Sequence, residues 1–151
     1  MGQSLVQIYA HIVFSTKHRQ PFLKDTAFRE RTHAYLAGIT RNLECPPLIV
    51  GGVEDHVHLL CRLGKQISIS DLLRTLKRDS SKWIKGEEPR LGDFYWQDGY
   101  GAFSISPSHV DELTRYIATQ EEHHRHETFQ DEFRRLLEKY GLAWDEKYVW
   151  D

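Results

Sequence analysis

Two short apolar runs, residues 48–53 and 56–62, are separated only by Glu54-Asp55. Runs of that length read as strands, and so short a connection predicts that they pair back as an antiparallel hairpin. The flanks of this hairpin mirror each other. Upstream, residues 4–16 are rich in Val, Ile, Tyr and Phe and read as a strand. Asp25 then caps a helix to about Thr40, whose apolar stripe is Phe28, Tyr35, Leu36 and Ile39. Pro46-Pro47 closes that segment. Downstream, Ser70 or Asp71 opens a helix to about Lys85, with Leu72, Leu73, Leu76 and Trp83 inward. Residues 94–104 contain a strand interrupted at Gly99 and Gly101. Ser106-Pro107 supplies a capping serine and a first-turn proline for a helix to about His124. A last helix covers about residues 129–140 and stops at Gly141, followed by an aromatic tail of Trp144, Tyr148 and Trp150. The order β-α-β-β-α-β-α-α predicts an α+β, ferredoxin-like fold: an antiparallel sheet with helices on one face, plus C-terminal helices.

The 151 residues fit a single domain, 1–151, with its core over about 4–125 and a C-terminal helix and tail over about 126–151. Apolar residues make up 40% and charged residues 28%, enough to bury a core, which excludes disorder and a disulfide scaffold. No apolar run approaches a membrane span, and the first residues lack the pattern of a signal peptide. Two cysteines, Cys45 and Cys61, with no CxxC spacing predict a reduced, cytoplasmic chain.

Net charge is −2, but it is unevenly placed. Residues 62–85 carry seven Lys/Arg against two acids, whereas residues 111–151 carry eleven acids against six bases. Arg74, Arg78, Lys82 and Lys85 fall on one helical line. That line is either a solvated face or a track for a phosphate backbone, to which Lys17, His18 and Arg19 add.

The chain has nine histidines. His56 and His58 are i and i+2 on a strand, so their side chains share one face with Cα atoms about 6.6 Å apart. They either converge on a metal ion or stand on a wet sheet face. Tyr116 and Gln120 are four apart on a helix and hence neighbours. A tyrosine can be a covalent nucleophile, and a glutamine oxygen suits a hard divalent cation beside two imidazoles; a half-buried structural tyrosine is the plainer reading. His124, four beyond Gln120, reads as a ligand, a proton shuttle or a polar helix end.

GGVEDHVHLL, the basic second helix, FYWQDGYG and RYIATQEEHH together resemble the single-tyrosine HUH transposases of insertion sequences and their REP-associated relatives, over residues 5–122. The resemblance implies an RRM-related sheet, with Mg²⁺ or Mn²⁺ on His56, His58 and Gln120 and with Tyr116 as the nucleophile. It implies metal-dependent cleavage and rejoining of single-stranded, hairpin-ended DNA through a 5′-phosphotyrosine, in a homodimer, with no nucleotide cofactor. The alternative is a domesticated module that holds single strands or hairpins without cutting them. A third reading, a metallohydrolase on His56, His58 and His124 with water attacking, forms no protein adduct.

Overall fold

The computed structural model describes residues 2–151. Four strands, β1 (Tyr9–Ser15), β2 (Pro47–Gly52), β3 (His56–Arg62) and β4 (Gly101–Ile105), form one antiparallel sheet in the order β2-β3-β1-β4. Between them run α1 (Thr26–Asn42) and α2 (Ile69–Glu87), and α3 (Val110–Ala118), α4 (Gln120–His123) and α5 (Phe129–Lys139) follow. This is the ferredoxin-like α+β order expected from the sequence.

Strand alternation sorts the sheet into two faces. Ala10, Ile12 and Phe14 of β1 and Val57, Leu59 and Cys61 of β3 pack with Leu36 of α1 and Leu72, Leu73 and Leu76 of α2. Val13 and Phe103 pack on the other face with Phe129, Phe133, Leu136 and Leu137 of α5. The C-terminal helices thus cover the face that α1 and α2 leave open. At two points they come close because the sheet there lacks side chains. A Cβ at Gly51 would lie 2.6 Å from the Ile117 carbonyl oxygen, and one at Gly101 would lie 2.5 Å from the Phe133 ring.

Caps follow the sequence in part. The Asp25 side chain accepts from Phe28 N, and Thr128 accepts from Asp131 N. The second helix opens two or three residues earlier than read, because Ser68 caps it by accepting from Asp71 N. Ser106 makes no capping bond; its hydroxyl meets Ser108 and His109, and a 3₁₀ turn, Pro107–His109, precedes α3. The single helix expected to His124 is broken at Thr119 (φ −109°, ψ 28°). The Thr119 hydroxyl donates to the Arg115 carbonyl, the back-bonding by which Ser and Thr bend helices. The first strand starts at Tyr9 rather than residue 4, since Tyr9 faces Arg62 and Ile105, where both neighbouring strands end.

Candidate metal and tyrosine site

The hairpin carries both histidines into the interface between the sheet and the C-terminal helices. His56 and His58 have no exposed surface, so the wet-face reading does not hold. Each ring is held from behind. His56 Nδ1 lies 2.7 Å from Asp55 Oδ1, and His58 Nδ1 lies 2.8 Å from His11 Nε2 on β1. Such partners fix a ring's tautomer and aim its other nitrogen.

Both Nε2 atoms point at one carboxylate, Glu132 of α5. Glu132 Oε1 is 3.2 Å from His56 Nε2 and 3.0 Å from His58 Nε2, and His124 Nε2 is 3.1 Å from it without hydrogen-bond alignment. Gln120 Oε1 is 3.1 Å from His56 Nε2, and the Gln120 amide donates to Glu132 Oε2 at 3.2 Å. The break at Thr119 starts a new turn at Gln120, which is 1% exposed. The Tyr116 hydroxyl donates to Glu132 Oε2 and accepts from Arg135 Nη2 at 2.9 Å. Its ring stands edge-on to His58 with centroids 5.9 Å apart. One chain therefore gathers four residues predicted from sequence, His56, His58, Tyr116 and Gln120, together with His124.

Charge in this cluster is strongly biased. Burial opposes a proton on His56, but Asp55 and Glu132 outweigh it and raise its pKa to about 9. Burial lowers the pKa of His58, against the pull of Glu132. Burial also opposes ionisation of Glu132, yet the surrounding histidines hold its carboxyl far below the usual range. Burial and the Glu132 charge push the Tyr116 phenol well above its ordinary value, with Arg135 acting in the other direction. His11 is lowered by burial and by His58, and stays neutral.

The donor atoms of His56, His58 and Glu132 all lie within 4.8 Å of one another. Imidazole, carboxylate and amide oxygen are ligands for divalent cations, so the residues fit one. Glu132 was missed by sequence reasoning. Its signal is a charged residue on the apolar stripe of α5, between Phe129 and Phe133 and one turn before Leu136.

The predicted basic residues stand apart from this cluster. Lys17 Nζ lies 3.7 Å from Asp98, and the Arg19 guanidinium lies 5.8 Å from the Trp150 ring. Arg74 and Arg78 line an open groove on α2 with Lys77, Tyr95 and Tyr100, each arginine also pairing with an acid of its own helix. Lys85 sits 4.1 Å from the Tyr95 ring, whereas Lys82 faces a different hollow beside Trp83.

An antiparallel ferredoxin-like domain with a buried histidine pair beside a helical tyrosine defines the class. The IS200-like transposase family matches residues 4–120, and the chain belongs to that family. It is a transposase. Among solved structures it is similar to a Deinococcus radiodurans R1 protein described as a transposase: 23% identity, 80% of this chain, 96% of that one, TM-score 0.64. It is also similar to a REP-associated tyrosine transposase bound to a REP hairpin, at 13% identity, 82% of this chain, 73% of that one and TM-score 0.60. No curated protein sequence matches it. Among the described residues no helix is long and apolar enough to cross a membrane.

Proposed function

We propose that the protein cleaves and rejoins single-stranded DNA at hairpin-containing transposon ends, with Tyr116 as nucleophile and Mg²⁺ or Mn²⁺ as cofactor. One observation carries the reading: Tyr116 and the histidine pair meet on the same buried carboxylate, Glu132. The hairpin held by the REP-associated relative adds support for the substrate.

His56, His58, Glu132 and Gln120 are the residues that would hold the cation, with His124 as an accessory. When bound, it supplies positive charge to a phosphate oxygen of the substrate. The chain's own groups do the rest. The phenol is neutral at rest, and its proton points at Glu132 Oε2. Arg135 donates to the Tyr116 hydroxyl oxygen and stabilises the phenolate as the proton leaves. Tyr116 Oη bonds to phosphorus, and the bond from phosphorus to the 3′ oxygen breaks. The proton given up to Glu132 passes on to the leaving 3′ oxygen, which leaves a 5′-phosphotyrosine and a free 3′ hydroxyl. A second 3′ hydroxyl attacks that linkage and releases the tyrosine, so no nucleotide cofactor is consumed.

Lys17, Arg19, Arg74, Arg78, Lys82 and Lys85 are assigned to the phosphate backbone. Tyr116 reaches its own chain's His58, which supports action within one subunit. A homodimer is part of the same reading. A cytoplasmic location is consistent with this reading.

The test uses a labelled oligonucleotide from the DNA flanking the gene, incubated with protein and Mn²⁺ and run on a denaturing protein gel. The expected result is label at the protein's mass, absent in Tyr116→Phe, which still shifts the DNA on a native gel. Cleavage without an adduct points to the hydrolytic reading that the nearness of His124 keeps in view. A shift without cleavage points to the binding module.

A further inference from the structure

An open groove of about 430 Å³ runs between α2 and residues 95–100. It lies on the α2 side of the sheet, whereas α5 and its carboxylate lie on the other. The volume falls in the roughly 300–1,000 Å³ range of small-ligand sites. Its floor is apolar and fixed. Leu73 and Trp96 line it and are otherwise buried. The Trp96 indole N–H donates to Ser80 Oγ at 2.9 Å, and the ring packs edge-to-face with Phe14 and Phe94. The loop wall is held by Lys77, whose ammonium donates to the carbonyls of Gln97, Asp98 and Gly99 at 2.8, 3.0 and 2.6 Å. An ammonium has three N–H bonds, and all are used. Lys77 therefore shapes the groove and is not a free cation within it.

What the groove leaves available is of two kinds. The first is aromatic: Tyr95 is 59% exposed and Tyr100 is 37% exposed. The second is cationic. Arg74 and Arg78 line the α2 side with side chains 68% and 67% exposed. Their partners, Asp71 and Asp79, are exposed too, and such surface pairs give way to a phosphate at little cost. Lys85 Nζ lies 4.1 Å from the Tyr95 ring and pairs with no acid among the described residues. Asp98, the acid of the loop wall, is met by Lys17 at 3.7 Å. Residues 62–85 carry seven Lys/Arg against two acids in a chain of net charge −2, so the positive charge is local to this side.

Exposed rings beside cations in one groove suit an unpaired strand, whose bases stack on the rings while its phosphates take the cations. A paired stem keeps its base faces inside its own stack and has no use for the tyrosines. We propose that this groove is a second DNA contact, separate from the tyrosine site, which takes an unpaired nucleotide with its base on Tyr95 and the flanking phosphates on Arg74, Arg78 and Lys85. The proposal rests on the reading of single-stranded DNA as the substrate. Every base has a π-face, so the contact supplies affinity without sequence preference. Choice of the cut then falls to other residues.

The test reads binding by fluorescence anisotropy in EDTA, so that nothing turns over. The probes are a labelled oligo-dT dodecamer and a blunt duplex of the same length. Tyr95 is exposed, so Tyr95→Ala and Tyr95→Phe leave the core intact. The expected result is about a tenfold loss of dodecamer affinity in Tyr95→Ala, recovered in Tyr95→Phe, with duplex affinity unchanged. In Arg74→Gln the slope of log affinity against log salt should become shallower by about 0.7, one phosphate contact on a single strand. The proposal is overturned if Tyr95→Ala binds the dodecamer as well as the parent, if it loses dodecamer and duplex alike, or if the slope in Arg74→Gln is unchanged. A parent that does not bind the dodecamer overturns it as well. The adduct with flanking DNA decides the transposase reading separately. An adduct in a protein whose Tyr95→Ala variant binds normally removes the groove alone, and neither adduct nor binding removes both.

Discussion

Glu132 Oε1 lies 3.0 Å from His58 Nε2, and its other oxygen accepts a hydrogen bond from the Tyr116 hydroxyl. One carboxylate on α5 therefore touches both the ring nitrogens of a strand and the phenol of another helix. If it is part of the cation site, Glu132→Gln, which keeps the shape and removes the charge, weakens divalent-ion binding. Ligand binding raises thermal stability by mass action. The rise in melting temperature on adding Mn²⁺ is expected in the parent protein and largely lost in Glu132→Gln. An equal rise in both removes Glu132 from the ligand set.

Asp55 holds the far nitrogen of His56 at 2.7 Å and is only 23% exposed through its side chain. Its contribution is orientation of the imidazole, not contact with the ion. Loss of such a partner typically costs about 10–100-fold in metal affinity. Asp55→Asn should reduce Mn²⁺ affinity on that scale in calorimetric titration, with the fold unchanged by circular dichroism. Unaltered affinity would mean that the hairpin backbone alone aims the ring.

The histidine pair was legible because strand period is local: His56 and His58 share a face whatever the rest of the chain does. The hairpin and the Asp25 cap were legible for the same reason. What escaped was tertiary. The covering of the second sheet face by α5, which turns His56 and His58 from wet to buried, leaves no mark on the hairpin itself. Glu132 is one acid among eleven in an acidic segment, and only its place on the stripe of Phe129, Phe133 and Leu136 sets it apart. The break at Thr119 depends on a hydroxyl choosing a backbone carbonyl, a choice that helix periodicity does not encode. His11 alternates correctly with Ala10 and Ile12, yet its role needs the partner strand.

Gly51 faces His58 across β2 and β3, and α3 lies directly over it. A methyl there would meet the Ile117 carbonyl at 2.6 Å and its side chain at 2.8 Å. Backbone does not yield cheaply, so Gly51→Ala should cost about 1–3 kcal/mol in urea denaturation and displace the helix that carries Tyr116. Gly38, inside α1, is the control, since nothing lies within 4 Å of a Cβ there. Gly38→Ala should stabilise by about 0.5–1 kcal/mol. Equal effects at the two glycines would contradict the close approach of α3.

His33 on α1 supplies the pH dependence most easily separated from the cation site. Its Nε2 is buried without a partner. Burial, then the nearby charges of Arg29 and His56, lower its pKa from 6.5 to about 4. Between those values the unfolded chain binds a proton that the folded chain refuses, so stability rises with pH and is lost as pH falls. The slope is on the order of 1 kcal/mol per pH unit for one such group. His33→Gln removes this group and keeps a polar side chain in its place. The stability of the parent relative to His33→Gln should therefore fall by about 1–2 kcal/mol between pH 7 and pH 5, read from urea midpoints at the two pH values. Parallel curves would show that His33 accepts its proton in the folded state.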